Sequence, residues 1–160
     1  MRVFLRAFIA LLTISFYAAW IARPYDGRRP MSALPSVDVL VVEDNRLVSE
    51  LLLHALRSAG LTTDVAGNVV EAKRLLARGS YRVLVLDLIL PDGRGSDVLD
   101  FIKSERLPPM HIMVITAADP AYLTGIDRSI VKSVMFKPID PEHFIGIVRA
   151  MALDRTSHRS

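Results

Sequence analysis

The sequence contains no cysteine, which excludes disulfides and thiolate metal sites and suits a reducing cytosol. It has no glycine-rich nucleotide loop either. "DGRGSD" (92–97) lacks the Lys-Ser/Thr pair by which a P-loop holds phosphates. Internal repeats and low-complexity tracts are absent, and 51% hydrophobic residues with 23% charged exclude a disordered chain. A basic surplus is missing from the main body as well. Residues 1–30 carry five arginines against Asp26 alone, a balance of +4, and the chain's +3 less this +4 leaves −1 for residues 31–160. The body is therefore not read as a nucleic-acid binder.

The chain divides into an apolar, basic leader (1–35), one domain (36–153) and a short polar tail (154–160) expected to fray. Three readings of the leader compete. Its uncharged stretch, 7–22, is somewhat short for the ~20 apolar residues of a membrane span. The charge pattern fits a signal peptide, but no clean A-x-A site follows. Met31 could also be the true start, since "MSALPSVDVLVVEDN" opens as a natural N-terminus would. If the leader does span, the domain is tethered to the inner membrane on its cytoplasmic side; otherwise the protein is cytoplasmic. Nothing in the sequence after the domain reads as an output domain.

Within the body, apolar strand-like runs alternate with amphipathic helical ones. Strands are expected at 37–42, 62–66, 81–87, 110–116 and 133–136, and helices at 47–59, 69–78, 96–105, 121–127 and 141–153. Leu47, Leu51 and Ala55, with Leu52 as a further candidate, are expected to face the core from the first helix, Gly60 to end it, and Ser96 to cap the third. This is (βα) repeated five times. It predicts an α/β fold, a doubly wound five-stranded parallel sheet with helices on both faces, of flavodoxin-like type. The central strands are apolar throughout because such a sheet is covered on both sides.

One residue breaks that apolar pattern. "VLVLDLILPDG" (83–93) places a carboxylate, Asp87, inside a buried run, where a charge needs compensation. Ligands of open α/β sheets bind beyond the carboxyl ends of the strands, so the residues that close each strand are the ones to read. They are Glu43-Asp44, Asp87, Thr116 and Lys137-Pro138. Crowded carboxylates need a cation, and oxygen donors suit Mg²⁺. A lysine and a hydroxyl aimed at the same point suit a phosphoryl group. Taken singly, each has a plainer explanation: a capping acid, turn residues, a β-forming threonine, a surface lysine. His54, His111 and His143 lack ligand-like spacing and are read as structural or solvated.

Glu43-Asp44, "DLILPDGRG", Thr116 and Lys137-Pro138 together resemble the signature of the response regulator receiver domain of two-component signalling, over about 37–151. The resemblance implies that Asp87 is the phosphoacceptor, served by a histidine kinase or histidine phosphotransfer protein. It implies a Mg²⁺ site made by Asp44, Glu43 through water, Asp87 and the backbone carbonyl of Ile89. Thr116 would bond a phosphoryl oxygen, Lys137 would pair with its charge, and the Lys137-Pro138 bond would be cis. The downstream protein target is unspecified, and a homodimer could form through the face of the fourth helix, fifth strand and fifth helix. Thr116, Val134 and Pro138 fall at the positions that would report the switch. Val134 stands where the family commonly has Tyr or Phe, and Ala118 where some members carry a polar side chain that assists hydrolysis. With Ile89 also apolar, slow self-dephosphorylation is expected. Competing classes are a pseudo-receiver that binds constitutively, and a Mg²⁺ phosphohydrolase, which would want an acid at Ile89.

Overall fold

A computed structural model describes residues 36–117, 119, 123, 126–127 and 129–154. The leader, Ala118, residues 155–160 of the tail and most of the helix expected at 121–127 lie outside the described residues.

Seven strands and four helices are described: β1 Ser36–Val42, α1 Arg46–Ser58, β2 Thr63–Ala66, α2 Val69–Leu76, β3 Ser80–Asp87, β4 Ile89–Leu90, β5 Gly93–Arg94, α3 Gly95–Ser104, β6 His111–Thr116, β7 Val131–Phe136 and α4 Pro141–Leu153. Five of the strands form one sheet in the order β2-β1-β3-β6-β7, with every pairing parallel. The chain reverses direction of growth between β1 and β3, where a doubly wound sheet opens its ligand crevice.

The period-2 alternation of a strand sends successive side chains to opposite faces. Val39, Val41, Val83, Val85, Met113 and Ile115 accordingly pack against Leu52 and Leu56 of α1 and Phe144, Val148 and Met151 of α4. Leu40, Val42, Leu84, Leu86 and Ile112 meet Val69, Ala72, Leu75 and Leu76 of α2 and Val98 and Leu99 of α3. The expected fold, covered on both faces, is the observed one.

Several local expectations are corrected. In α1, Leu47 (79% exposed) and Leu51 (47%) face outward, while Leu52, Ala55 and Leu56 are buried. Both rows of the helix are apolar at the same spacing, so periodicity alone could not set its rotational phase. Ser96 does not cap α3. The helix begins a residue earlier, and Asp97 accepts the Arg94 N–H at 2.9 Å. Helix α2 stops at Leu76, its end closed by the Gly79 N–H on the Leu75 carbonyl at 2.9 Å. Gly60 follows α1 with φ +83°, the left-handed conformation that glycine adopts without a Cβ clash. Pro91 and Asp92 form the turn of a two-stranded antiparallel hairpin, β4–β5, whose strands were not among those expected. Strand β7 starts two residues before the expected 133. Among the described residues, no helix is long and apolar enough to cross a membrane.

Candidate functional site

Register builds the site. Val42 pairs with Leu86 across β1 and β3, so the next residue on each strand, Glu43 and Asp87, leaves the sheet at the same level. Asp87 pairs with Ile115 of β6, one residue short of Thr116. Thr116 pairs with Phe136 of β7, and its carbonyl accepts the Lys137 N–H at 2.9 Å. Three parallel pairings thus bring residues 43, 87, 116 and 137 to one edge of the sheet. No local propensity could do this.

The carboxylates of Glu43, Asp44 and Asp87 each place an oxygen within 4.8 Å of the others. Asp44 is exposed, whereas Glu43, Asp87 and Thr116 are buried. The Lys137 ammonium lies 2.5 Å from Asp87 Oδ2 and 2.7 Å from Glu43 Oε2. Asp87 Oδ1 accepts the Ile89 N–H at 3.1 Å, and Glu43 Oε1 accepts the Asn45 N–H at 3.1 Å. Asn45 then caps α1, its side chain accepting from the Leu47 and Val48 amides.

Burial pushes the Glu43 carboxyl above its ordinary value, and the nearby Asp87 charge pushes the same way, against the opposing pull of Lys137 and the Asn45 N–H. For Lys137, burial acts to lower its affinity for the proton, but Asp87 and Glu43 together outweigh it and the ammonium is held above its ordinary value. Glu43 Oε2 is buried and meets no well-aligned hydrogen-bond donor; the charge of Lys137 is what offsets it. Three carboxylates with oxygens this close, two of them buried and balanced by Lys137, are a donor set that fits a hard, oxygen-seeking divalent cation. The residues present therefore suit Mg²⁺.

The hairpin after Asp87 is fixed on two sides. Gly95 donates its N–H to the Leu88 carbonyl at 3.0 Å. A Cβ at Gly95 would stand 2.5 Å from the Asp87 carbonyl oxygen, so only glycine allows α3 to begin this close to the Asp87 backbone. On the other side, Asp92 accepts the Val69 N–H at 2.8 Å and the Val70 N–H at 3.1 Å. The Val69 bond in particular holds the Asp92 carboxyl below its ordinary value. Neither residue stood out in the sequence beyond turn composition, because the partners of Asp92 lie 22 and 23 positions earlier.

The remaining candidates lie as follows. Ile89 is exposed and donates its N–H to Asp87. The Lys137-Pro138 bond is cis. Val134 pairs with Val114 and packs in a small cluster with Leu88 and Leu123. His54 and His143 are exposed on helices, and His111 is buried with Nε2 3.6 Å from Asp154 Oδ2.

A family sequence model described as Response regulator receiver domain matches residues 39–149, from the second half of β1 through most of α4. The chain belongs to the response regulator receiver domain family. One relative of this receiver domain is the transcriptional regulatory protein CusR of Escherichia coli (strain K12), 34% identical over 79 residues, 49% of this chain and 34% of that protein. The chain thus spans about a third of the length of such curated relatives. An uncharacterized 14.6 kDa protein of Leptolyngbya boryana is 29% identical over 127 residues, 77% of this chain and 95% of that one. Among solved structures, response regulator TrrA of Thermotoga maritima, in complex with Mg²⁺-BeF, superposes with a TM-score of 0.64 at 24% identity over 72% of this chain and 98% of that one. At that identity the likeness supports the fold.

Proposed function

We propose that Asp87 accepts a phosphoryl group from the phosphohistidine of a histidine kinase or histidine phosphotransfer protein. An Asp87 carboxylate oxygen forms the new bond to phosphorus while the phosphorus–nitrogen bond breaks. Imidazole leaves, and Asp87 becomes an acyl phosphate. The observation that carries this reading is the buried contact of Lys137 with both Asp87 and Glu43 at the carboxyl edge of the sheet.

Phosphoryl transfer asks chiefly for positioning and for neutralised charge on the moving oxygens. Lys137 holds a positive charge against the acceptor, and the Ile89 N–H fixes one carboxylate oxygen. Glu43, Asp44, Asp87 and the Ile89 carbonyl would hold Mg²⁺, which when bound supplies further positive charge to the phosphoryl oxygens. Thr116, buried at the end of β6, is within one strand position of the acceptor's pairing partner and would accept the role of phosphoryl contact. Its movement would bias the surface around β7 between two states, the output read by a downstream protein or by a second copy of the chain. We place this activity in the cytoplasm. Turnover beyond slow self-dephosphorylation is not expected, since Ile89 offers no acid to a departing group.

The test is phosphorylation of the chain by acetyl phosphate with Mg²⁺. A base-labile phosphate on the wild type, lost in Asp87→Asn, is the expected result. No phosphate on the wild type would refute the phosphoacceptor reading and leave the constitutive binding module that Val134 favours. Rapid multiple turnover would make the protein a hydrolase.

A further inference from the structure

Helix α2 begins far in sequence from Asp87, yet its first turn is built partly from the acceptor's own loop. The Val69 and Val70 amides, the first two of the helix, both donate to the Asp92 carboxylate. The third, Glu71 N–H, donates to Asn68 Oδ1 at 2.8 Å. Asn68 thus supplies a local cap, and Asp92 supplies a remote one from the tip of the β4–β5 hairpin. A carboxylate is favoured there by the positive end of the helix.

The same hairpin carries the groups closest to the chemistry. Its first residue, Ile89, donates its N–H to Asp87 Oδ1 at 3.1 Å. At its other end, Gly95 closes onto the Leu88 carbonyl and packs against the Asp87 backbone. The tip between them is exposed at Pro91 and Asp92. A two-stranded hairpin of this size has little stability of its own, so what its tip is bonded to governs where Ile89 stays.

We infer that Asp92 is a positioning residue for the phosphorylation site: by bridging to the first turn of α2 it holds the β4–β5 hairpin so that the Ile89 amide stays on the Asp87 carboxylate. The inference rests on the phosphoacceptor reading only for its consequence in phosphorylation. The anchoring itself can be measured without it. Asp92 touches no reacting atom, and its effect runs through the hairpin.

The experiment compares wild type with Asp92→Ala, Asp92→Asn and Asn68→Ala. Asn68→Ala removes a cap from the same helix end without touching the hairpin, so it reports the loss of helix stability alone. Amide hydrogen exchange at Ile89 and Gly95 is followed by NMR without Mg²⁺, and the rate of labelling by acetyl phosphate with Mg²⁺. Asp92→Ala should speed exchange at both amides about tenfold and slow labelling by about the same factor. Asn68→Ala should change neither by more than about twofold, and Asp92→Asn, which keeps one acceptor oxygen, should fall between. Equal effects of Asp92→Ala and Asn68→Ala, or unchanged Ile89 exchange in Asp92→Ala, would overturn the inference. Should Asp92→Ala fail to fold, Asp92→Asn is judged against Asn68→Ala by the same criteria. A wild type that takes no phosphate refutes the phosphoacceptor reading, and Ile89 exchange then decides the anchor by itself.

Discussion

Replacing Lys137 with methionine keeps most of the side chain's length and removes its charge. In the native site the ammonium stands 2.5 Å from Asp87 and 2.7 Å from Glu43, whose side chain has no exposed surface. Without it, Glu43 and Asp87 face each other inside 4.8 Å with no cation between them. Removing one partner of a buried ion pair typically costs about 3–5 kcal/mol, because the remaining charge is uncompensated. Glu43 has an escape, however. Burial already holds its carboxyl above the ordinary 4.5, and losing Lys137 removes the main influence that keeps it down. A carboxyl raised in the folded state binds its proton more tightly there than in the unfolded chain. Stability therefore falls as pH rises from about 4.5 through the folded value, and is recovered as Glu43 protonates. Lys137→Met should lose about 3 kcal/mol near pH 8 and about 1 kcal/mol near pH 5, read from urea midpoints with unchanged slope. Glu43→Gln in the same background should restore most of the loss near pH 8. An equal loss at both pH values, or no rescue by Glu43→Gln, would show that the stem of Lys137 matters rather than its charge, and the electrostatic argument would fail.

Gly95→Ala places a methyl 2.5 Å from the Asp87 carbonyl oxygen and 2.9 Å from the Leu88 Cα, neither of which can turn aside. Overpacking of about 1–3 kcal/mol exceeds the gain of up to ~1 kcal/mol in helix preference, so the urea midpoint should fall; a rise would refute the contact. Asn45→Ala deprives the Leu47 and Val48 amides of their acceptor and should cost about 1 kcal/mol in the same assay. Phe144→Ala opens the face beneath α4, where the ring is fully buried, at about 3–5 kcal/mol. Leu47→Ser should stay within about 0.5 kcal/mol, since that side chain is 79% exposed; a larger loss would mean that the outward face of α1 has been misplaced.

Much of this was legible from the order of residues. The alternation of apolar runs, the glycine after α1 and the acids and lysine closing successive strands were enough to predict a doubly wound parallel sheet and the edge on which those side chains meet. The misreadings share a cause. Leu47, Val48, Leu51 and Leu52 offer two apolar rows of equal spacing, and only the facing sheet selects Leu52 over Leu51. Ser96 is a good cap by type, but α3 begins at Gly95 because the hairpin delivers the chain there, beside the Asp87 carbonyl. Asp92 reads locally as a turn residue, and its partners belong to another helix.

Propensity, periodicity and chemical type are local properties, so the order of residues was enough to locate the five strands of the sheet and the four described helices to within a few residues, and to mark the side chains that could carry charge at a strand end. Tertiary structure decided the rest. The strand order and register bring Glu43, Asp87, Thr116 and Lys137 to one edge. Packing sets which row of α1 is buried. The ionisation of Glu43 and Lys137 follows from their mutual distance and their removal from water, and both are properties that exist only once distant segments have met.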